Sequence, residues 1–100
     1  MPITGPLCRA ARALVQFSRD ELADDSGVSA EMISDFETGR ETLPVDVLHR
    51  LQAALEEGGA VFIPESNDGG VGVRLKFNRR DVRAINRLEG EGGAVGNDDV

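Results

Sequence analysis

Residues 29–40 place hydroxyl, carboxylate and guanidinium groups at helical spacing along one predicted helix and its flanks. Ser34 and Thr38 lie four residues apart, so both hydroxyls would face the same way and could donate to bases or phosphates. Glu31 could accept a hydrogen bond from a cytosine amine, and Ala30 could contact a thymine methyl group. The residues predicted to face a nucleic-acid duplex, including two arginines as phosphate anchors, are Arg19, Ser29, Ala30, Glu31, Ser34, Thr38 and Arg40.

Two short helices joined by a tight turn must position these groups. Leu22 and Ala23 precede Gly27, and Ile33 follows it, at the spacing of two helices that share one core. Ala23 is small enough for the second helix to cross closely, and Gly27 can adopt a positive φ without steric cost. The pattern predicts a helix-turn-helix, whose second helix usually enters a DNA major groove.

The same stretch resembles the XRE/Cro-type family of bacterial and phage regulators, over roughly residues 4–58. The residues that carry the resemblance are Arg12, Ser18, Leu22, Ala23, Gly27, Val28, Ser29, Ile33, Glu37, Gly39, Arg40 and Pro44. The resemblance implies a mainly α fold, with a four-helix domain that binds double-stranded DNA. It also implies a structural ion pair between Arg12 and Glu37 that ties the first helix to the end of the third.

The predicted reading surface differs from that family in its chemistry and charge. The outward face of the predicted third helix has no Arg, Gln or Asn for bidentate contacts to guanine or adenine. The net charge of −7 also differs from the basic footprint usual for DNA-binding proteins. Residues 1–58 carry five arginines against eleven acidic residues, whereas residues 59–88 carry six basic residues against three acidic ones. A second interpretation is therefore a protein-interaction module, an antitoxin or anti-regulator, whose acidic surface binds a protein.

Capping residues and apolar spacing predict the first two helices. Thr4 is placed to cap a helix over residues 5–16, and Ser18 with Glu21 forms a capping box for the next, which ends at Gly27. The residues predicted for the buried face of the first helix are Leu7, Ala11, Leu14 and Val15.

Two more helices complete the predicted domain at residues 1–58. Ser29 is placed to cap the third, over residues 30–38, and Gly39 ends it. Pro44 suits the start of the fourth, which closes at Gly58. The apolar residues predicted to define the fourth helix are Val45, Leu48, Leu51 and Leu55.

The hydrophobic period changes after Gly59. Residues 60–64 and 71–77 are predicted to be two short strands, joined by a polar turn at residues 65–70. Because an isolated hairpin is marginal in water, this one needs the helical domain, a second subunit's hairpin, or both as a partner. Edge-to-edge pairing of two hairpins would give a two-fold homodimer. The residues predicted for its apolar dimerisation face are Val61, Ile63, Val73, Leu75 and Phe77.

The C-terminal part of the chain carries most of the basic residues. Residues 59–88 form the predicted dimerisation unit, which ends in a short helix at about residues 79–88. The basic segment 74–87 has two interpretations: it contacts DNA phosphates beside the half-sites or, as is slightly favoured, it binds acidic residues of another subunit. Residues 89–100 are glycine-rich and acidic, and we expect a flexible tail there.

Other classes of function find little support in the composition. The single cysteine, Cys8, cannot form an intrachain disulfide and is expected to be a buried, inert thiol. Asp24, Asp25, Glu31 and Asp35 form an acidic ridge without metal-ligand spacing. The sequence contains no recognisable nucleophile–base pair that would indicate an enzyme, and no cofactor or metal is predicted. Without a membrane-spanning apolar run or a visible signal peptide, we expect a cytoplasmic protein.

These observations favour a transcriptional regulator, a repressor or autoregulator, that binds a palindromic operator as a two-fold dimer. Repression is preferred over activation because nothing beyond duplex binding and dimerisation is visible in the sequence. The predicted partners are double-stranded DNA and a second copy of the chain, with a protein partner as the alternative.

Overall fold

A computed structural model describes residues 2–77, which form four helices followed by a two-stranded antiparallel hairpin. The helices are α1 (Gly5–Val15), α2 (Arg19–Ser26), α3 (Ala30–Glu37) and α4 (Val45–Glu57). The strands are β1 (Ala60–Ile63) and β2 (Gly72–Leu75). This architecture confirms the predicted mainly helical fold with a C-terminal hairpin. The predicted helix at 79–88 and the predicted tail at 89–100 lie outside the described residues.

Side-chain caps begin the first two helices where the sequence predicts them. Thr4 Oγ1 accepts a hydrogen bond from the Leu7 amide at 3.3 Å. In the capping box, the Glu21 amide donates to Ser18 Oγ at 3.0 Å, and the Ser18 amide donates to Glu21 Oε1 at 2.7 Å. These bonds satisfy amides that have no partner within the helix, so α1 and α2 begin where they were expected.

One hydrophobic core joins the four helices to the hairpin. The large side chains that are fully buried in it are Leu22, Ile33, Leu51, Leu55 and Cys8. Ala60, at the start of β1, is buried too, and Phe62 and Val73 pack against the same core. The hairpin therefore finds its partner in the helical domain, with β2 lying against α1. Within residues 2–77, no helix is long and apolar enough to cross a membrane.

Two apolar residues of the predicted helical patterns are exposed: Leu14, predicted to be buried, and Val45, used to define the fourth helix. Leu14 is 40% exposed because the buried stripe of α1 runs through Cys8 and Ala11 and leaves Leu14 at its margin. Val45 is 58% exposed in the first turn of α4, whereas Val47 is buried. The inward face of α4 is thus rotated away from its first residue.

The hairpin register separates residues that were predicted to share one dimerisation face. The register pairs Ala60 with Leu75, Val61 with Arg74, Phe62 with Val73, and Ile63 with Gly72. Because directly opposed residues share a face, Val73 and Leu75 lie on the inward face, whereas Val61 and Ile63 lie on the outward face. The prediction of a single apolar face is therefore wrong. Phe77 lies beyond the end of β2 and is 39% exposed.

The start of α1 packs against the end of α3 with no room for a side chain at Gly5. A Cβ at this position would overlap the carbonyl oxygen of Phe36 and lie 3.2 Å from the Cα of Glu37. Both neighbours are backbone atoms, which cannot move aside as a flexible side chain does. This close approach brings α1 to the last turn of α3, which carries Glu37.

Replacing Gly5 with alanine should lower the free energy of unfolding by about 1–3 kcal/mol, because the added methyl group must push α1 away from α3. The better helix propensity of alanine, about 1 kcal/mol, opposes this loss without cancelling it. Urea denaturation of both proteins measures the difference. Gly69→Ala is the matched control, since a Cβ at Gly69 meets no atom within 4 Å. Equal losses in the two variants would contradict the close approach.

Candidate nucleic-acid interface

The turn between α2 and α3 sets both helices against a shared core. Gly27 has a φ of 76°, a left-handed conformation that glycine adopts without strain. Leu22 of α2 and Ile33 of α3 are fully buried on either side of this turn. Ser26 Oγ accepts a hydrogen bond from the Val28 amide at 3.2 Å, which closes the turn. With one face held in the core, α3 presents its opposite face to solvent.

The predicted reading residues follow that solvent-facing side of α3 and its flanks. Ser29, Glu31 and Thr38 are exposed, whereas Ala30 and Ser34 are half-buried at the edge of the helix surface. The structure therefore brings these five residues to one continuous surface. Glu31 lies in the first turn of α3, where the helix dipole stabilises its carboxylate. The same negative charge repels a phosphate that approaches this end of the helix.

The hydroxyl groups on this surface differ in what they can still donate. Ser29 Oγ accepts from the Met32 amide at 3.1 Å, so its own hydrogen is free to donate. Thr38 Oγ1 donates to the Ser34 carbonyl at 2.8 Å, so Thr38 can only accept from a partner. Donation from Thr38 to a duplex stays a prediction, and it requires the hydroxyl to leave the carbonyl one turn earlier. The Ser34 hydroxyl forms no hydrogen bond with residues 2–77 and can donate or accept.

Arg40 lies in the segment that follows α3. Gly39 has a φ of 82°, and the Arg40 amide donates to the Asp35 carbonyl at 2.8 Å, so the backbone turns sharply here. The Arg40 side chain is exposed and pairs with no acidic group in the described part of the chain. It is thus available for the predicted phosphate contact.

A further cation, which the sequence analysis missed, lies beside the α2–α3 turn. Nη1 of Arg50, an exposed residue of α4, would be 3.6 Å from a Cβ placed on Gly27. The last turn of α2 contains Asp24 and Asp25 and no basic residue, so Arg50 offsets negative charge there. No local motif marks Arg50, because its position depends on how α4 crosses the turn.

A buried carboxylate joins α1 to the end of α3. The Glu37 side chain is 0% exposed and accepts two hydrogen bonds from Arg12. Arg12 Nε donates to Oε2 and Arg12 Nη2 donates to Oε1, each at 2.8 Å. Arg12 Nη1 also donates to the Phe17 carbonyl at 3.0 Å, which fixes the segment between α1 and α2. The pair implied by the family resemblance is thus present, in bidentate form.

Arg19 and Cys8 complete this cluster, although the sequence predicts a phosphate contact for Arg19 and only an inert buried thiol for Cys8. Arg19, predicted to anchor a phosphate, donates from Nε to Glu37 Oε1 at 3.1 Å. The Cys8 thiol, one helical turn before Arg12 on α1, is buried close enough to Glu37 for each group to shift the pKa of the other. The four-residue spacing of Cys8 and Arg12 places both on one face of α1 and could have revealed that Cys8 lies near Glu37. The contact of Arg19 depends on how α2 meets α3, which sequence spacing does not specify.

The cluster shifts the proton affinities of its members. Burial alone would raise the pKa of Glu37, but hydrogen bonds from Arg12, Cys8 and Arg19 outweigh it and hold that pKa below the ordinary value. The hydrogen bond to Glu37 raises the pKa of Arg12. Burial, followed by the Glu37 contact, raises the pKa of Cys8 far above its usual range. Cys8 therefore stays a protonated, weakly nucleophilic thiol, buried as predicted.

The acidic ridge is a solvated surface beside the reading face. Asp24, Asp25 and Glu31 are exposed, and Asp35 is half-buried. Within residues 2–77, no group of three or more His, Cys, Asp or Glu side chains is arranged to hold a metal ion. The ridge therefore acts as a negative electrostatic surface, which opposes duplex binding and favours a basic partner.

Comparison with known proteins bears on the helical part of the chain. The protein-family model described as Helix-turn-helix matches residues 9–60, which is more than half of the chain. The match contains Arg12, Arg19 and Glu37 together with the predicted reading residues of α3. No curated protein matches the chain.

Replacing Glu37 with glutamine should destabilise the protein by about 3 kcal/mol near pH 7, because two arginines lose their buried counter-charge. The folded-state pKa of Glu37 lies below its ordinary value of 4.5, so its contribution is present above that pH. The contribution is lost as the pH falls from 4.5 through the lower folded-state pKa. Urea denaturation at several pH values should therefore show a weaker acid dependence in Glu37→Gln than in the wild type.

Glu41→Gln is the control for this experiment, because it makes the same chemical change at an exposed side chain. We expect it to keep the stability and the acid dependence of the wild type. The same acid dependence in Glu37→Gln and the wild type would show that the buried carboxylate does not carry the effect.

Proposed function

Because the chain belongs to the XRE-type helix-turn-helix family of DNA-binding regulators, as the sequence predicted, we propose that it is a transcriptional repressor or autoregulator. It binds a palindromic operator as a two-fold dimer, with α3 of each subunit in the major groove. The observation that carries the proposal is the solvent-facing side of α3, where Ser29 and Ser34 have free hydroxyl hydrogens. Arg40 stands beside this surface without an acidic partner in the described residues.

The charge distribution limits how the protein can bind DNA. Residues 1–58 carry five arginines against eleven acidic residues, so non-specific attraction to a duplex is weak. Binding must then rely on a few well-placed phosphate contacts and on base contacts in the groove. Weak base readout by serine, threonine and alanine favours a dimer, because two half-sites add their contributions.

The hairpin is the proposed dimerisation element. Its two strands pair only with each other among residues 2–77, so their outer edges are open to a second copy. The outward face carries Ile63, which is 40% exposed, and Val71 nearby is 47% exposed. The inward residues Val73 and Leu75 support the helical domain. For each α3 to enter its own half-site, the dimer must hold the two α3 helices about 34 Å apart, one turn of DNA.

A second candidate function follows from the acidic ridge. Asp24, Asp25 and Glu31 surround the start of the reading surface and would attract a basic protein more readily than a phosphate backbone. On this hypothesis the helix-turn-helix serves as a scaffold for a protein-interaction module. Its binding would select no DNA sequence.

Selection from a pool of random duplexes distinguishes the two functions. A repressor should enrich a symmetric site and bind it with an affinity that falls steeply as salt rises. Arg40→Ala should reduce the slope of log affinity against log salt by about one unit, because one phosphate contact is lost. Arg9→Ala, the same charge change at an exposed residue of α1, is the control and should keep the slope. Enrichment of no duplex would favour the interaction module.

Replacing Ile63 with aspartate should convert the dimer into monomers, because it places a charge on the outward face of the open hairpin. Light scattering at micromolar concentration measures the change, and the fold should survive because Ile63 lies outside the core. Asn67→Asp adds the same charge in the exposed turn of the same hairpin and should leave the dimer intact. A dimer that persists in Ile63→Asp would exclude the hairpin as the dimerisation element.

A further inference from the structure

Arg12 and Arg19 share one carboxylate but differ in how many of their donors remain free. Arg12 uses Nε and Nη2 on Glu37 and Nη1 on the Phe17 carbonyl, and its side chain is only 17% exposed. Each nitrogen of this guanidinium donates one hydrogen bond within the protein, so three of its five N–H donors are used. Arg12 is therefore mainly structural, because its low exposure leaves the other two donors little access to an outside ligand.

Arg19 forms a hydrogen bond within the described residues through only one of its guanidinium nitrogens. Its Nε donates to Glu37 Oε1 at 3.1 Å, and its side chain is 38% exposed. Its Nη1 and Nη2 groups form no hydrogen bond with residues 2–77. The bond at Nε restrains the guanidinium, and the N–H donors of Nη1 and Nη2 stay available to an outside acceptor because the side chain is partly exposed. A restrained, planar pair of donors matches the oxygens of a phosphate group.

Glu37 is held by three arginine hydrogen bonds. Arg12 supplies two of them and Arg19 supplies one, and together they use three of the roughly four lone-pair sites of a carboxylate. The carboxylate is 0% exposed, so no water replaces Arg19 as a donor to it without opening the cluster. Two arginines against one glutamate leave a single positive charge, and only Arg19 presents it at the surface.

We propose that Glu37 is a positioning residue for DNA binding, which holds the Arg19 guanidinium so that its two Nη groups grip one phosphate of the duplex backbone. This inference rests on the proposed function and gives the buried cluster a part in affinity as well as in stability. The alternative is that Arg19 only neutralises Glu37, in which case it contributes nothing to the salt dependence of binding.

Two substitutions of Arg19 separate charge from positioning. Arg19→Ala should reduce the slope of log affinity against log salt by about one unit, because a phosphate contact disappears. Arg19→Lys should keep the slope but bind about five-fold more weakly, because an ammonium cannot bond to Glu37 and also present a planar fork. Arg9→Ala, at an exposed residue of α1, is the charge-matched control. Wild-type binding by Arg19→Lys, or an unchanged slope in Arg19→Ala, would overturn the proposal.

A double-mutant cycle on duplex affinity tests the role of Glu37 itself. Glu37→Gln should weaken binding about ten-fold when Arg19 is present and less than about two-fold in the Arg19→Ala background. Measurements are made below the unfolding midpoint of each variant, with the folded fraction checked by circular dichroism. A merely structural Glu37 would give the same loss in both backgrounds, which would overturn the proposal.

The outcomes also separate this proposal from the proposed function. If the wild type selects a symmetric duplex and the Arg19 variants bind as it does, the repressor function stands and the positioning role is wrong. If the wild type binds no duplex, both are wrong. Should Glu37→Gln fail to fold, Arg19→Lys decides alone, because Arg12 keeps both of its bonds to Glu37 in that variant.

Discussion

A buried glutamate at the end of α3 is the residue on whose hydrogen bonds the rest of this structure depends. Glu37 accepts hydrogen bonds from α1 and α2 while it stands in the last turn of α3. One side chain thereby fixes three helices relative to each other. Burial of this carboxylate would be costly without partners, and the three arginine hydrogen bonds to it offset that cost. The close contact of Gly5 with the same turn of α3 adds a steric constraint to the electrostatic one.

The helix order, the caps and the turns could be predicted because each rests on local chemistry. The spacing of Ser18 and Glu21 indicates a helix start, and Gly27 indicates a backbone position with a positive φ. The pair of Arg12 and Glu37 could be predicted only through a family resemblance, since 25 residues separate the two. For the third member, Arg19, the sequence predicts only a phosphate contact, because nothing local shows that α2 begins beside the end of α3.

The hairpin shows a different limit of sequence reasoning. Both strands alternate apolar and polar residues, but the alternation does not say which residues of one strand face those of the other. The register puts Val61 opposite Arg74 and Phe62 opposite Val73. Phe62, which the dimerisation prediction left out, therefore lies on the inward face beside Val73. A shift of one residue moves a whole set of side chains to the other face. The side chains of Leu14 and Val45 were misplaced for the same kind of reason, a rotation of the buried stripe.

A protein with a net charge of −7 can read DNA only if its few cations are well placed, and the cluster around Glu37 provides such placement for Arg19. Titration of a selected duplex into isotope-labelled protein, followed by NMR, tests this account most directly. We predict that the shifted signals are the backbone amides of residues 29–40 and the Nε–H of Arg19, with the hairpin signals unchanged. Shifts confined to the hairpin, or an unmoved Arg19 Nε–H signal, would contradict it.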